Sequence, residues 1–371
     1  MTGPAISPED AAHAQNELAS KWMKRGIALL EQNTSASLTE AIPCFDNAIE
    51  LRYALPLESN PRFRFGLAAG WMNRGDALTR LGSPMDFAEA LRSYAAALTQ
   101  LNLLPLDENP LFRRRLAVAW MNRGITLLGQ GKNISEAVDS FEECLTVLQD
   151  AAAAGIEDRA QLLGCAWMNR ANGLIRLENP DLQHAHDAAK KALEFLAATE
   201  QSDVVSAEAA LKARHILCQA IGGLLAEKEP AQERDSKDLV SEATDMVDEG
   251  MKLAREWELR NVTRFRPLAG ELFRFGVRAY QIFQPHFLVE FILESVDAEK
   301  SPGASPSPEM HIEAMRGIWR CFREIQNNGF NKLNPEQFEE FLQKLHELSF
   351  AENRLNQLRQ GYAAAKTSSQ S

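Results

Sequence analysis

The chain has 371 residues, 45% of them apolar and 25% charged, a balance that allows a large buried core in one to three domains. Its formal net charge of −11 argues against nucleic acid as the main partner, because phosphate backbones are bound by clustered Lys and Arg. No apolar run approaches the ~20 residues needed to span a bilayer, which argues against membrane insertion.

Residues 1–15 are polar and acidic, lack the basic-then-apolar layout of a secretory leader, and are expected to be a flexible N-terminus. From there the sequence repeats. Trp-Met-x-Arg-Gly/Ala occurs four times, starting at Trp22, Trp71, Trp120 and Trp167, at spacings of 49, 49 and 47 residues. Each string lies on a helical stripe: Leu18, Trp22, Gly26 and Leu29, then Leu67, Trp71, Gly75 and Leu78, then Leu116, Trp120, Gly124 and Leu127, then Leu163, Trp167, Ala171 and Leu174. Steps of three and four place these residues on one buried face, with a small residue where a second helix approaches closely. That second helix follows each time, with a small–aromatic–small core in three copies (Ala41, Phe45, Ala48; Ala90, Tyr94, Ala97; Ala137, Phe141, Cys144) and Ala185, Ala189, Ala192 in the fourth. Cys144 stands where other copies have Ala and reads as a small core residue.

Ser37 with Glu40, Asp86 with Glu89 and Asn133 with Glu136 have capping-box spacing, and Asp181 keeps the cap in the fourth copy, where His184 replaces the Glu. Asn60-Pro61 and Asn109-Pro110 read as an N-cap followed by Pro in the first turn. The five cysteines (Cys44, Cys144, Cys165, Cys218, Cys321) are widely spaced, without Cys-x-x-Cys, which points to reduced thiols in a cytoplasm.

The Trp, the Gly four residues later and the Ala-x3-Phe-x2-Ala of the second helix resemble the tetratricopeptide (TPR) family. The period of 47–49 residues departs from the family's about 34, and Arg stands where the family usually has Leu. These lengthened hairpins with a Pro-led first helix look loosely like the kinesin-light-chain branch. The resemblance implies an all-α, right-handed superhelical solenoid of antiparallel helix pairs, with four clear repeats over residues 16–200. One or two degenerate repeats are expected over 201–298. Leu211 to Gly222 is read as a fifth first helix, followed by a charged insertion (Glu227 to Lys237) and an echo of the second helix at Ala243, Val247 and Gly250. Leu268, Leu272 and Gly276 suggest a sixth, ending near Pro285, with His286 to Ser295 as its partner. A Pro- and Ser-rich linker (299–310), a C-terminal helical cap (311–364) and a disordered tail (365–371) complete the layout.

In the family the residue two after the Trp faces a concave groove. Here that column is Lys24, Asn73, Asn122 and Asn169. Side-chain amides offer a donor and an acceptor to an extended peptide, and Asn is a mediocre helix former whose threefold choice needs a reason; the bland reading is that Asn merely tolerates an exposed helical site. Arg25, Arg74, Arg123 and Arg170 have candidate partners in Glu40, Glu89 and Glu136, which would tie the two helices of a repeat together. This pairing is preferred over partner binding, and it singles out Arg170, lacking the matching Glu, as the one left free. Arg62, Arg64, Arg113, Arg114 and Arg115 crowd first turns where the helix dipole disfavours cations. Either Glu58, Asp107 and Glu108 neutralise them or they form a rim for an acidic partner.

Catalytic signatures are absent. Gly129-x-Gly131-Lys132 lacks the remaining P-loop residues and falls in a helix–helix turn. His184-x-His186 has no third metal ligand at sensible spacing, and Asn327-Asn328-Gly329 lacks acidic calcium ligands. The expectation is a cytoplasmic, non-enzymatic scaffold without cofactor or metal that holds another protein's peptide or helix. A structural accessory of a filament and a peptide-sensing regulator are the alternatives.

Overall fold

The computed structural model describes residues 7–150, 153, 155–227 and 233–283, with single positions between 338 and 363. The expected helix His286 to Ser295, the linker, the tail, Cys321 and Asn327-Asn328-Gly329 lie outside the described residues, as does most of the expected cap. The described residues form eleven α-helices and no strand. The chain divides into two compact units, residues 1–199 and 200–371.

The first unit contains α1 (Pro8–Gln32), α2 (Ser35–Tyr53), α3 (Pro61–Leu81), α4 (Pro84–Leu101), α5 (Pro110–Gln130), α6 (Ile134–Gln149), α7 (Arg159–Ile175) and α8 (Leu182–Leu196). Each helix packs on the next, and α1 touches α3, α3 touches α5 and α5 touches α7. The unit is therefore a stack of helix pairs of α-solenoid type. Helix α1 starts at Pro8, inside the stretch expected to be flexible, because Ser7 accepts a hydrogen bond from the Asp10 backbone N–H at 3.0 Å and caps it.

The helix starts follow from local chemistry. Asn60 and Asn109 accept from the backbone N–H of Arg62 (3.0 Å) and Leu111 (2.9 Å), each ahead of a proline whose missing N–H costs nothing at a first turn. The capping boxes differ from the expected register. Thr34 and Ser83 are the N-caps of α2 and α4, and Ser37 and Asp86 are the third helical residues that reach back to them. Three-residue spacing between capping-competent side chains recurs there, so each helix gains its first turn one step earlier. Asn133 does precede α6, but its side chain makes no cap hydrogen bond, while Asp181 accepts from the His184 N–H at 3.2 Å as expected. At the other ends, Gly82 (φ 76) and Gly131 (φ 72) hold the left-handed C-cap positions of α3 and α5, and Asn33 (φ 51) does so for α1. These caps leave only residues 33–34 and 82–83 between paired helices, so the chain reverses at once.

Most of the expected stripe is core: Leu67, Leu78, Leu116, Leu127, Leu163 and Leu174 are buried, as are Gly26, Gly75, Gly124 and Ala171, and the departure is at the Trp position. Met23, Met72, Met121 and Met168 are buried, whereas the four tryptophans are half-buried and Leu18 is 46% exposed. The small residues do sit at the closest approach of each pair. A Cβ added to Gly26, Gly75 or Gly124 would fall 2.5, 2.8 or 2.5 Å from the ring of Phe45, Tyr94 or Phe141. In the fourth copy, with Ala171 and Ala189 in these places, the close approach moves to Gly164, where a Cβ would fall 2.5 Å from Leu196.

The second unit contains α9 (Val204–Glu227), α10 (Glu233–Leu259) and α11 (Arg266–Phe283), with α9 and α11 both packed on α10. Glu227 and residues 233–237 of the expected charged insertion are thus helical. Leu211, Leu217, Cys218, Ile221, Val247 and Leu272 are buried in its core, and Gly250 admits Leu272, whose Cδ1 would lie 2.6 Å from an added Cβ. Arg214 is buried and bonds Glu200 (2.8 and 3.1 Å) and Glu249 (3.2 Å), while the Trp257 indole N–H donates to the Glu200 carbonyl at 2.9 Å.

Candidate functional site

Three features of the first unit bear on function. The first is the column of Lys24, Asn73, Asn122 and Asn169, which occupies equivalent positions on α1, α3, α5 and α7, helices that touch in succession. Lys24 is exposed and the three asparagines are half-buried. Among the described residues none of the three side-chain amides has a hydrogen-bond partner, and none is among the fully buried unsatisfied groups. Each therefore reaches solvent with unspent donor and acceptor capacity.

The second is the arginine set. Every one of Arg25, Arg74, Arg123 and Arg170 lies over the tryptophan three residues earlier, at 5.7, 5.9, 5.8 and 5.5 Å from the ring centroid, within cation–π range. Pairing with the own-repeat Glu holds for Arg123, which donates to Glu136 at 3.1 Å, and for Arg74, 3.6 Å from Glu89. It fails for Arg25, which makes no ion pair among the described residues. It also fails for Arg170, which is not free but donates to Glu142 at 2.8 and 3.0 Å. Arg74 likewise donates to Asp46 at 2.8 Å. Both acids stand 28 residues before their arginine, on the second helix of the preceding pair. The reach is backward, between repeats, where a search within one repeat does not look. Arg80 and Arg176 add a tie that the sequence reading missed: each donates to a carbonyl at the C-terminal end of the first helix of the preceding pair, Leu30 (3.4 Å) and Leu128 (3.0 Å).

The third is the expected rim, and most of it is internal. Arg64 and Arg113 are buried; Arg64 pairs with Glu58 and donates to Gln100 at 3.0 Å, and Arg113 pairs with Asp107 and lies 3.4 Å from Asp150. Arg114 holds Asp158, the N-cap residue of α7, through contacts at 2.8 and 3.1 Å from its Nε, and this guanidinium keeps the Asp158 carboxyl below its usual range. Arg115 is half-buried with its guanidinium 5.1 Å over Phe65. Only Arg62 of the five is exposed and without an ion pair among the described residues. Four of the rim arginines thus act as helix-to-helix and loop-to-helix ties, and the neutralising carboxylates Glu58 and Asp107 are the ones the sequence pointed to.

A cavity of about 500 Å³ opens between α4, α5 and α6, lined by Leu98, Asn102, Trp120, Arg123, Glu136 and Glu143 among others. Nothing in the sequence reading marked it. The groups with catalytic overtones have local roles. His184 sits 2.8 Å from Asp181 and His186 sits 3.0 Å from Asp187, Gly131 caps α5, and burial pushes the Cys144 and Cys218 thiols up to about 12. Among the described residues there is no group of three or more His, Cys, Asp or Glu side chains placed to hold a metal, and no helix long and apolar enough to cross a membrane.

No protein-family model matches the chain, and no curated protein matches it in sequence. Among solved structures, the crystal structure of BtubC (BKLC) from P. vanneervenii is similar at a TM-score of 0.50 and 15% identity, over 73% of this chain and 94% of that chain. At this identity the likeness concerns the helical architecture alone.

Proposed function

We propose that the protein is a non-catalytic, cytoplasmic interaction scaffold that holds an extended segment of another protein along Lys24, Asn73, Asn122 and Asn169. One observation carries this reading: three half-buried amides, in register on touching helices, spend none of their hydrogen-bonding capacity within the chain. Such amides pair with a peptide backbone without demanding one sequence, and the repeat spacing brings them to corresponding backbone groups of an extended ligand. The TPR resemblance supports the same surface. With Arg64, Arg113, Arg114, Arg115 and Arg170 engaged inside the fold, acidic character in the ligand is not part of this reading.

The test is affinity capture from the native host with the full chain and with the Asn73→Ala/Asn122→Ala/Asn169→Ala variant, their folds matched by circular dichroism. A partner held by the first and lost by the second supports the groove. A partner held equally by both removes it. A second reading, decoration of a filament, rests on the 21-residue Pro-led helices α3 and α5, whose length carries the kinesin-light-chain resemblance. It expects the triple variant to retain its partner and to co-sediment with the polymer.

A further inference from the structure

The three junctions between successive repeats are built on one plan, and the middle one lacks two of its parts. At the first, Asp46 holds Arg74, and the Tyr53 ring meets Trp71 edge-on with centroids 6.4 Å apart. At the third, Glu142 holds Arg170, and the Lys191 ammonium lies 4.5 Å from the Trp167 centroid. At the second, the position of Asp46 and Glu142 is Ala95, that of Tyr53 is Asn102, and that of Lys191 is Glu143. Arg123, without an acid behind it, keeps only the contacts to Glu136 and Ser140, the counterparts of Glu89 and Ser93 beside Arg74. Trp120 is left with Arg123 as its only ring or cation partner among the described residues, and the space beside it is the cavity.

The cavity wall is acidic. Glu136, Asp139 and Glu143 line it against the single cation Arg123, and Asp139 and Glu143, four residues apart on one face of α6, form no ion pair among the described residues. An indole face bordered by carboxylates attracts an ammonium or guanidinium. The molecule already contains the filled version of this arrangement, in which Lys191 occupies the place over Trp167 that is open over Trp120.

We propose that the Trp120 cavity is a docking site for a basic side chain, a lysine above all, presented by a partner protein. The ammonium sits over the Trp120 indole, between Asp139 and Glu143, as Lys191 sits over Trp167. The site stands apart from the asparagine column and does not depend on it.

The test uses the full chain labelled with 5-fluorotryptophan, with the Trp120 resonance assigned through Trp120→Phe. The probe is the tripeptide acetyl-Lys-Lys-Lys-amide, and the norleucine analogue is the control. The lysine peptide should move the Trp120 fluorine resonance saturably, and the control should not. Asp139→Asn/Glu143→Gln should weaken the response about tenfold, the scale of a partly desolvated cation–π and charge contact. Glu143→Lys, which supplies an internal occupant at an exposed position, should abolish it. A Trp120 resonance that stays still, one that moves equally with norleucine, or a response undiminished in either acidic-site variant overturns the proposal.

Discussion

The two units of the molecule solve the same packing problem differently. In the first, stability is spread over repeated devices: a small residue against an aromatic ring in three copies, an arginine over each tryptophan, and ion pairs that reach back to the preceding repeat. In the second, among the described residues, one buried guanidinium, Arg214 of α9, gathers Glu200 as well as Glu249 of α10. A repeat array adds nearest-neighbour terms, so a lesion there should stay local. A buried charge network stands or falls together, so a lesion there should be felt across the unit.

Phe141→Ala should give the largest effect. It empties a fully buried site and should cost about 4 kcal/mol. Hydrogen exchange should show the loss concentrated in α5 and α6, with α1 and α2 protected as before; uniform deprotection of α1–α8 would break the picture of additive repeats. Arg214→Met keeps the aliphatic stem but strands Glu200, whose side chain is only 12% exposed. A loss of about 3 kcal/mol is expected, with α9, α10 and α11 deprotected together. Deprotection of α9 alone would show that the network does not unify the unit.

Gly124→Ala sharpens the first comparison. The new Cβ would meet the Phe141 ring at 2.5 Å, so the gain in helix propensity is outweighed by overpacking, and urea denaturation should show a net loss of about 2 kcal/mol. Adding Phe141→Ala to it should cost less than the two single changes summed, because the fourth copy already uses Ala171 and Ala189 in these places. The smallest effect concerns pH. Arg114 holds the Asp158 carboxyl below its ordinary value, so the tie between α5 and α7 is intact above the unfolded value of about 3.9 and is lost as pH falls through the depressed one. Both side chains are about a third exposed, and the contribution should stay under about 1 kcal/mol. Asp158→Asn should flatten the stability profile below pH about 4 by that amount; an unchanged acid limb would show that the pair is idle.

What the sequence disclosed and what it concealed divide along the same physical line. Contacts within one helix pair were legible, because the Trp spacing, the Gly opposite Phe45, Tyr94 and Phe141, and the Asn-Pro helix starts are local patterns with local causes. The cap register slipped at Ser37 and Asp86, since capping-competent side chains also stand three residues earlier at Thr34 and Ser83. Contacts between pairs were hidden. Arg170 looked free because its partner, Glu142, lies in the preceding repeat. The methionines rather than the tryptophans fill the core, since each Trp sits at the edge of its helix beside its arginine. The asparagine column was visible as a period, but whether its amides are spent depends on which side chains the packing brings beside them. The Trp120 cavity arises from what Ala95 and Asn102 lack, and an absence becomes readable only when neighbouring junctions are laid side by side.

Hydrogen exchange of the full chain, free and bound to a captured partner, tests the central claim most directly. Backbone exchange should slow in the segments around Asn73, Asn122 and Asn169 on α3, α5 and α7, and this protection should vanish with the triple alanine variant. Protection confined to α2, α4, α6 and α8, with α3, α5 and α7 unchanged, would contradict binding along the asparagine column.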